Sequence, residues 1–145
     1  MDIRVLIFDD DESIRNLLKT IVKKRGYEIF DYNNPSLCAI GINDKCDCGI
    51  NSKCADIIIT DINMPIINGV DFIKSLKEKG CKVKNIIVIS TVDNVKELKL
   101  FLGEHIRFLN KPFSIHELTS ILDEFEQNIN IERELLCELN TKKIV

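Results

Sequence analysis

The chain predicts an α/β fold, a doubly wound five-stranded parallel sheet with helices on both faces. Apolar strand-like runs at 3–8, 27–30, 55–60, 84–90 and 105–109 alternate with segments whose apolar residues recur at helical spacing. Five βα units in that order argue parallel strands joined by helical crossovers. The length, 145 residues, suits one domain, which at that size buries about two thirds of its unfolded surface.

The first run, Ile3-Arg4-Val5-Leu6-Ile7-Phe8, ends in the acidic residues Asp9 and Asp10. A helix follows through Ile14, Leu17, Leu18, Ile21 and Val22, with Gly26 placed for a left-handed cap. The second run spans 27–30. Residues 43–54, polar and carrying Cys46, Cys48 and Cys54, read as a loop inserted before the third strand. That strand delivers Asp61 to a loop punctuated by Pro65 and Gly69, and Phe72, Ile73 and Leu76 mark the next helix, closed by Gly80. The fourth run ends at Ser90, after which Val95, Leu98 and Leu102 keep helical spacing before Gly103. The fifth run leads to Lys111. Ser114 and Glu117 then form a capping box for a last helix through Leu118, Ile121, Leu122 and Phe125. Apolar positions at Ile131, Leu135, Leu136 and Leu139 extend this pattern, so 1–128 reads as the domain and 129–145 as a C-terminal helical extension. Some nineteen residues after 126 are too few for a separate output domain.

Composition excludes several classes. A net charge of −3 and a pI near 5.4 give no bulk attraction to nucleic acid or anionic membrane. The start is charged, and no stretch reaches the roughly 18 apolar residues that a membrane span needs. A cytoplasmic protein is expected. Of six cysteines, Cys38, Cys46, Cys48 and Cys54 fall close together without a CxxC pair, in a spacing that matches no common zinc pattern. They read as reduced thiols, and His105 and His116 as structural.

Five positions carry the chemistry: Asp9, Asp10, Asp61, Ser90 and Lys111 each end a predicted strand or lie just beyond it. In an open parallel sheet the crevice past the carboxyl ends of the strands is where ligands bind. Three carboxylates gathered there repel one another unless a divalent cation neutralises them. Mg²⁺ prefers oxygen ligands and is held by one or two carboxylates with phosphate and water. Asp61 could then serve as a nucleophile that forms an aspartyl-phosphate, with an ammonium and a hydroxyl neutralising the phosphoryl oxygens.

With these residues in place, the chain resembles the receiver domain of response regulators in two-component signalling, over roughly residues 3–126. Four segments carry the resemblance: Val5-Leu6-Ile7-Phe8-Asp9-Asp10-Asp11; Asp61-Ile62-Asn63-Met64-Pro65 with Asn68-Gly69; Ile87-Val88-Ile89-Ser90; and Phe108-Leu109-Asn110-Lys111-Pro112-Phe113. It implies a flavodoxin-like strand order 2-1-3-4-5. It makes Asp61 the phosphoacceptor, and Asp9, Asp10, Asp61 and the Asn63 backbone carbonyl the Mg²⁺ (or Mn²⁺) set. Ser90 and Lys111 become the hydroxyl and the cation that meet the phosphoryl group, Phe108 the aromatic that swings inward, and Lys111-Pro112 a cis bond. A sensor histidine kinase is the implied donor, and a downstream protein on the face of the fourth helix, fifth strand and fifth helix the implied target. A homodimer is a further option. Thr91 departs from the small residue usual after the hydroxyl, and the cysteine loop and the tail lie outside the family pattern.

A rival reading comes from Phe8-Asp9-Asp10-Asp11-Glu12-Ser13, which also fits the opening motif of haloacid-dehalogenase-type phosphatases. Asp9 would be the nucleophile and Asp11 the acid/base. That reading lacks a later acidic pair followed by a strand, and it leaves the Asp61 loop unexplained. Taken singly, each residue has a plainer role: Asp11 as a helix cap, Ser90 as a turn residue, Lys111 as a solvated amine and Phe108 as core. A receiver acting as a scaffold without phosphorylation is the third class.

Overall fold

The computed structural model describes residues 2–34, 52–64, 67–91, 106–130 and 132–135. Its elements are β1 (Arg4–Phe8), α1 (Glu12–Lys24), β2 (Glu28–Tyr32), β3 (Ser52–Lys53), β4 (Ile57–Asp61), α2 (Gly69–Glu78), β5 (Asn85–Ser90), β6 (Ile106–Asn110), α3 (Ile115–Asn128) and β7 (Glu134–Leu135). Five strands form a parallel sheet in the order β2-β1-β4-β5-β6. Counted without the two-residue β3, this is the expected order 2-1-3-4-5.

The apolar pattern explains the two layers. In β4 successive side chains alternate between faces: Ile58 joins one core cluster, and Ile57 and Ile59 join the other. The first cluster is covered by Phe72, Ile73 and Leu76 of α2. The second is covered by Leu18, Ile21 and Val22 of α1 and by Leu118, Ile121, Leu122 and Phe125 of α3. Each such fully buried aliphatic contributes about 1.5–3 kcal/mol. Helices therefore lie on both faces, as the periodicity predicts.

Helix ends follow local chemistry. Asp11 caps α1, its side chain accepting from the Ser13 and Ile14 amides, and Asn68 and Ser114 cap α2 and α3 in the same way. Gly26 and Gly80 end helices at φ 79° and 78°, the left-handed conformation that favours glycine. β2 is displaced from the expected 27–30, because the ladder pairs Glu28–Tyr32 with Arg4–Phe8 and Tyr27 packs in the core.

The tail requires a correction. The sequence suggests a helical extension from 129, yet α3 ends at Ile129 in extended backbone and Glu134–Leu135 forms a strand parallel to Ser52–Lys53. Asn130 turns the chain by accepting from the Glu132 amide. The Arg133 guanidinium then makes two 2.7 Å bonds to the buried Asp56 carboxylate and donates to the Asp2 carbonyl. These tertiary bonds override the local helical spacing. The segment with Val95, Leu98, Leu102, Gly103 and His105 lies outside the described residues. So do Cys38, Cys46, Cys48, most of the expected loop 43–54, Pro65, and the tail beyond 135.

Candidate phosphoryl site

Register brings the acidic residues together. Phe8 pairs with Thr60, so Asp9 and Asp61 leave neighbouring strands at the same carboxyl edge, beside β1 where the strand order reverses. Carboxylate oxygens of Asp9, Asp10 and Asp61 all lie within 4.8 Å of one another, with Asp9 and Asp61 buried and Asp10 exposed.

Lysine and backbone donors balance part of this charge. Lys111 Nζ stands 3.2 Å from Asp61 Oδ2 and 3.4 Å from Asp9 Oδ2. The Asp11 amide donates to Asp9 Oδ1 at 2.9 Å, and the Asn63 amide to Asp61 Oδ1 at 3.2 Å. Burial pushes the Asp9 carboxyl above its ordinary range and the neighbouring Asp61 charge adds to this, against the pull of the Asp11 amide and Lys111. For Lys111, burial alone would lower the ammonium, but the charges of Asp9 and Asp61 outweigh it and hold it above its usual value. One ammonium against three carboxylates leaves the cluster net negative. An acid-rich set of hard oxygen donors, two of them buried and one open to solvent, fits a divalent cation such as Mg²⁺.

Ser90 ends β5, fully buried, one register step beyond Ile89, the partner of Asp61. Asn63 Nδ2 reaches Thr91 Oγ1 at 3.4 Å, so the residue that departs from the family pattern contacts the Asp61 loop directly. The Lys111–Pro112 peptide is cis. Phe108 is half-buried on β6 and packs against the first core cluster. His116 sits exposed at the start of α3.

Two contributors carried too little sequence signal to be assigned a role. Arg15 donates to the Asp9 carbonyl at 2.8 Å while pairing with Asp31, which ties α1 to the acidic corner. Gly69 opens α2 against the Asp61 backbone: a Cβ there would lie 2.3 Å from the Asp61 carbonyl oxygen. Its amide donates to the Ile62 carbonyl at 2.8 Å. The Asn68-Gly69 pair reads from sequence as loop punctuation, whereas this close approach appears only in the fold.

Comparison with known proteins agrees with this geometry. Residues 5–123 match the family model described as response regulator receiver domain. The chain is 30% identical over 127 residues to an uncharacterized response regulatory protein of Staphylococcus epidermidis, covering 87% of this chain and 47% of that one. It is likewise 30% identical over 132 residues to the nisin biosynthesis regulatory protein NisR of Lactococcus lactis, covering 90% and 51%. The chain thus spans about half the length of these curated relatives. Among solved structures, the chemotaxis protein CheY4 of Vibrio cholerae superposes with a TM-score of 0.67 at 26% identity, covering 86% of this chain and 99% of that one. With its sheet order, its acidic corner and a family match over most of its length, the chain belongs to the response regulator receiver domain family.

Proposed function

We propose that the chain is a phospho-switch that takes a phosphoryl group from a sensor histidine kinase onto Asp61. The observation that carries this reading is the cluster of Asp9, Asp10 and Asp61 oxygens within 4.8 Å, with Lys111 Nζ in contact with both Asp9 and Asp61. In the transfer, an Asp61 carboxylate oxygen attacks phosphorus, the bond to the kinase imidazole nitrogen breaks, and its electron pair stays on the ring. Asp9, Asp10, Asp61 and the Asn63 carbonyl would hold Mg²⁺ (or Mn²⁺), which when bound neutralises phosphoryl oxygens as charge develops. Lys111 turns from the carboxylates to the new dianion, and the Ser90 hydroxyl donates to it. Those contacts strengthen only after phosphorylation, so they bias a pre-existing equilibrium toward an active form.

The output face includes β6 and α3. A shallow cleft of about 310 Å³ there is bordered by Arg107, Phe108, His116 and Ser120, and inward motion of Phe108 would reshape it. A downstream protein, or a second copy of the chain, would read that change. Residues 1–128 make up the receiver unit, acting in the cytoplasm. No helix among the described residues is long and apolar enough to cross a membrane. The phosphatase reading, with Asp9 as nucleophile, needs Asp11 as acid/base, but the Asp11 carboxylate is engaged at the start of α1.

Treating the protein with Mg²⁺ and a small phosphodonor, and following acid-labile phosphate by intact mass, tests the reading. Wild type and Asp9→Asn should differ in rate, and Asp61→Asn should take up none. Uptake that survives Asp61→Asn but vanishes in Asp9→Asn would install the phosphatase chemistry instead. No uptake by wild type leaves a scaffold.

A further inference from the structure

A second reactive pair lies at the opposite end of β4. Cys54 leads from β3 into β4 and is 1% exposed; Cys81 follows Gly80 at the end of α2 and is half-buried. Both are thiols, separated by 27 positions, and their Sγ atoms stand 4.0 Å apart. A disulfide bond is about 2.05 Å, so side-chain rotation has about 2 Å to close. The Cys81 backbone is anchored by its amide bond to the Leu76 carbonyl at 2.9 Å, and both side chains pack in the first core cluster. Proximity is thus imposed by the fold.

We propose that Cys54 and Cys81 form a reversible redox modification site, oxidised by a small anionic disulfide of the oxidised-glutathione class. Cys81 is the more accessible partner and is flanked in sequence by Lys77, Lys79, Lys82 and Lys84, with Glu78 the one acidic residue among them, a net basic stretch that attracts an anionic oxidant. The Cys81 thiolate attacks one sulfur of the oxidant, forming a mixed disulfide and releasing one thiolate. The Cys54 thiolate then attacks the Cys81 sulfur, forming the internal bond and releasing the second. Two protein thiols and one disulfide become one protein disulfide and two small thiols. In reducing compartments such bonds are mostly transient and sensory. This bond would close a loop containing β4, Asp61 and α2, and so restrict the unfolded chain. Asp61 lies about 13 Å further along the strand from Ile57, so its phosphoryl chemistry stays open.

The test incubates the reduced full chain with oxidised glutathione at neutral pH, traps residual thiols, and maps peptides by mass. A Cys54–Cys81 cross-linked peptide should dominate, with the loss of two hydrogens reversed by a dithiol and a higher melting temperature in the oxidised form. Cys54→Ala, checked as folded by circular dichroism, should stall as a glutathione adduct on Cys81, and the half-buried Cys81→Ser should leave Cys54 unmodified. The proposal is overturned if these two thiols join only to other cysteines or carry only adducts in wild type. It is equally overturned if they resist exchange until a chelator is added, which would mark a bound metal instead.

Discussion

The Lys111 amide donates to the Ser90 carbonyl oxygen at 2.8 Å, so the hydroxyl-bearing end of β5 and the lysine beyond β6 are joined through the backbone. The bond fixes where the Lys111 side chain starts, independent of its charge. Lys111→Met should keep that anchor while removing the ammonium from Asp9 and Asp61. An uncompensated buried carboxylate pair is costly, and with Lys111 partly exposed the metal-free protein should lose about 1–3 kcal/mol at neutral pH. Phosphoryl uptake should slow by about 10²-fold or more, the effect of losing one preorganised donor. Urea titration and timed intact-mass measurements read the two effects separately.

Asp9 gives the pH dependence. Burial, reinforced by Asp61, raises its carboxyl above the ordinary value in the folded state. A raised acid stabilises the fold below its unfolded value, about 3.9, and that contribution is lost as pH rises through the folded value. Metal-free wild type therefore loses stability from Asp9 as pH rises above about 3.9, and Asp9→Asn should melt a few degrees higher at neutral pH, with a profile that depends less on pH. Mg²⁺ should raise the melting temperature of wild type at pH 7 by mass action. The rise should shrink toward pH 4 and be largely absent in Asp9→Asn. Thermal scans with and without Mg²⁺ check all of these.

Gly69 is held by space alone. Its added Cβ would meet the Asp61 carbonyl oxygen at 2.3 Å and the Ile62 Cα at 2.9 Å, and both obstacles are backbone. Gly69→Ala should therefore destabilise the domain by about 1–3 kcal/mol and displace the strand end that carries Asp61. Loss of phosphoryl uptake beyond the loss of folded protein, measured at a temperature where the variant is still folded, separates displacement from unfolding.

What the sequence made legible is what rests on periodicity and on strand ends. Long β-branched runs, Ile57-Ile58-Ile59 above all, specify the sheet because an unbroken apolar run of this length suits a strand buried on both faces. Asp9, Asp61, Ser90 and Lys111 stand out because each interrupts or follows such a run. The rest depends on contacts between distant positions with no local pattern. β3 and β7 are two residues each, too short to show alternation. The apolar spacing of Leu135 with its neighbours suits a helix, yet ladder bonds to Lys53 set its backbone. Asp56 falls within the strand-like run 55–60 with no local sign of its partner Arg133, 77 positions away.

That Asp56–Arg133 pair ties the segment just after α3 to the start of β4. The Asp56 side chain is 1% exposed and that of Arg133 9%, and Asp56 also accepts from the Arg4 amide at 3.0 Å. The hydrogen bonds to Asp56 raise the guanidinium's proton affinity further, against a smaller opposing effect of burial. Arg133→Ala leaves a buried carboxylate with only the Arg4 amide among the described residues, and should cost about 2–4 kcal/mol. Arg133→Lys should recover only part, since a single ammonium cannot reproduce the two-bond fork. Ending the chain at residue 130 should cost at least as much as Arg133→Ala, because the β3–β7 ladder goes with it. If chemical denaturation instead finds both variants as stable as the full chain, the tail is merely resting on the sheet. A double variant with Asp56→Asn makes the sharper comparison: once the buried charge is gone, deleting Arg133 should cost less than half of its single-variant loss, the coupling expected of a direct pair.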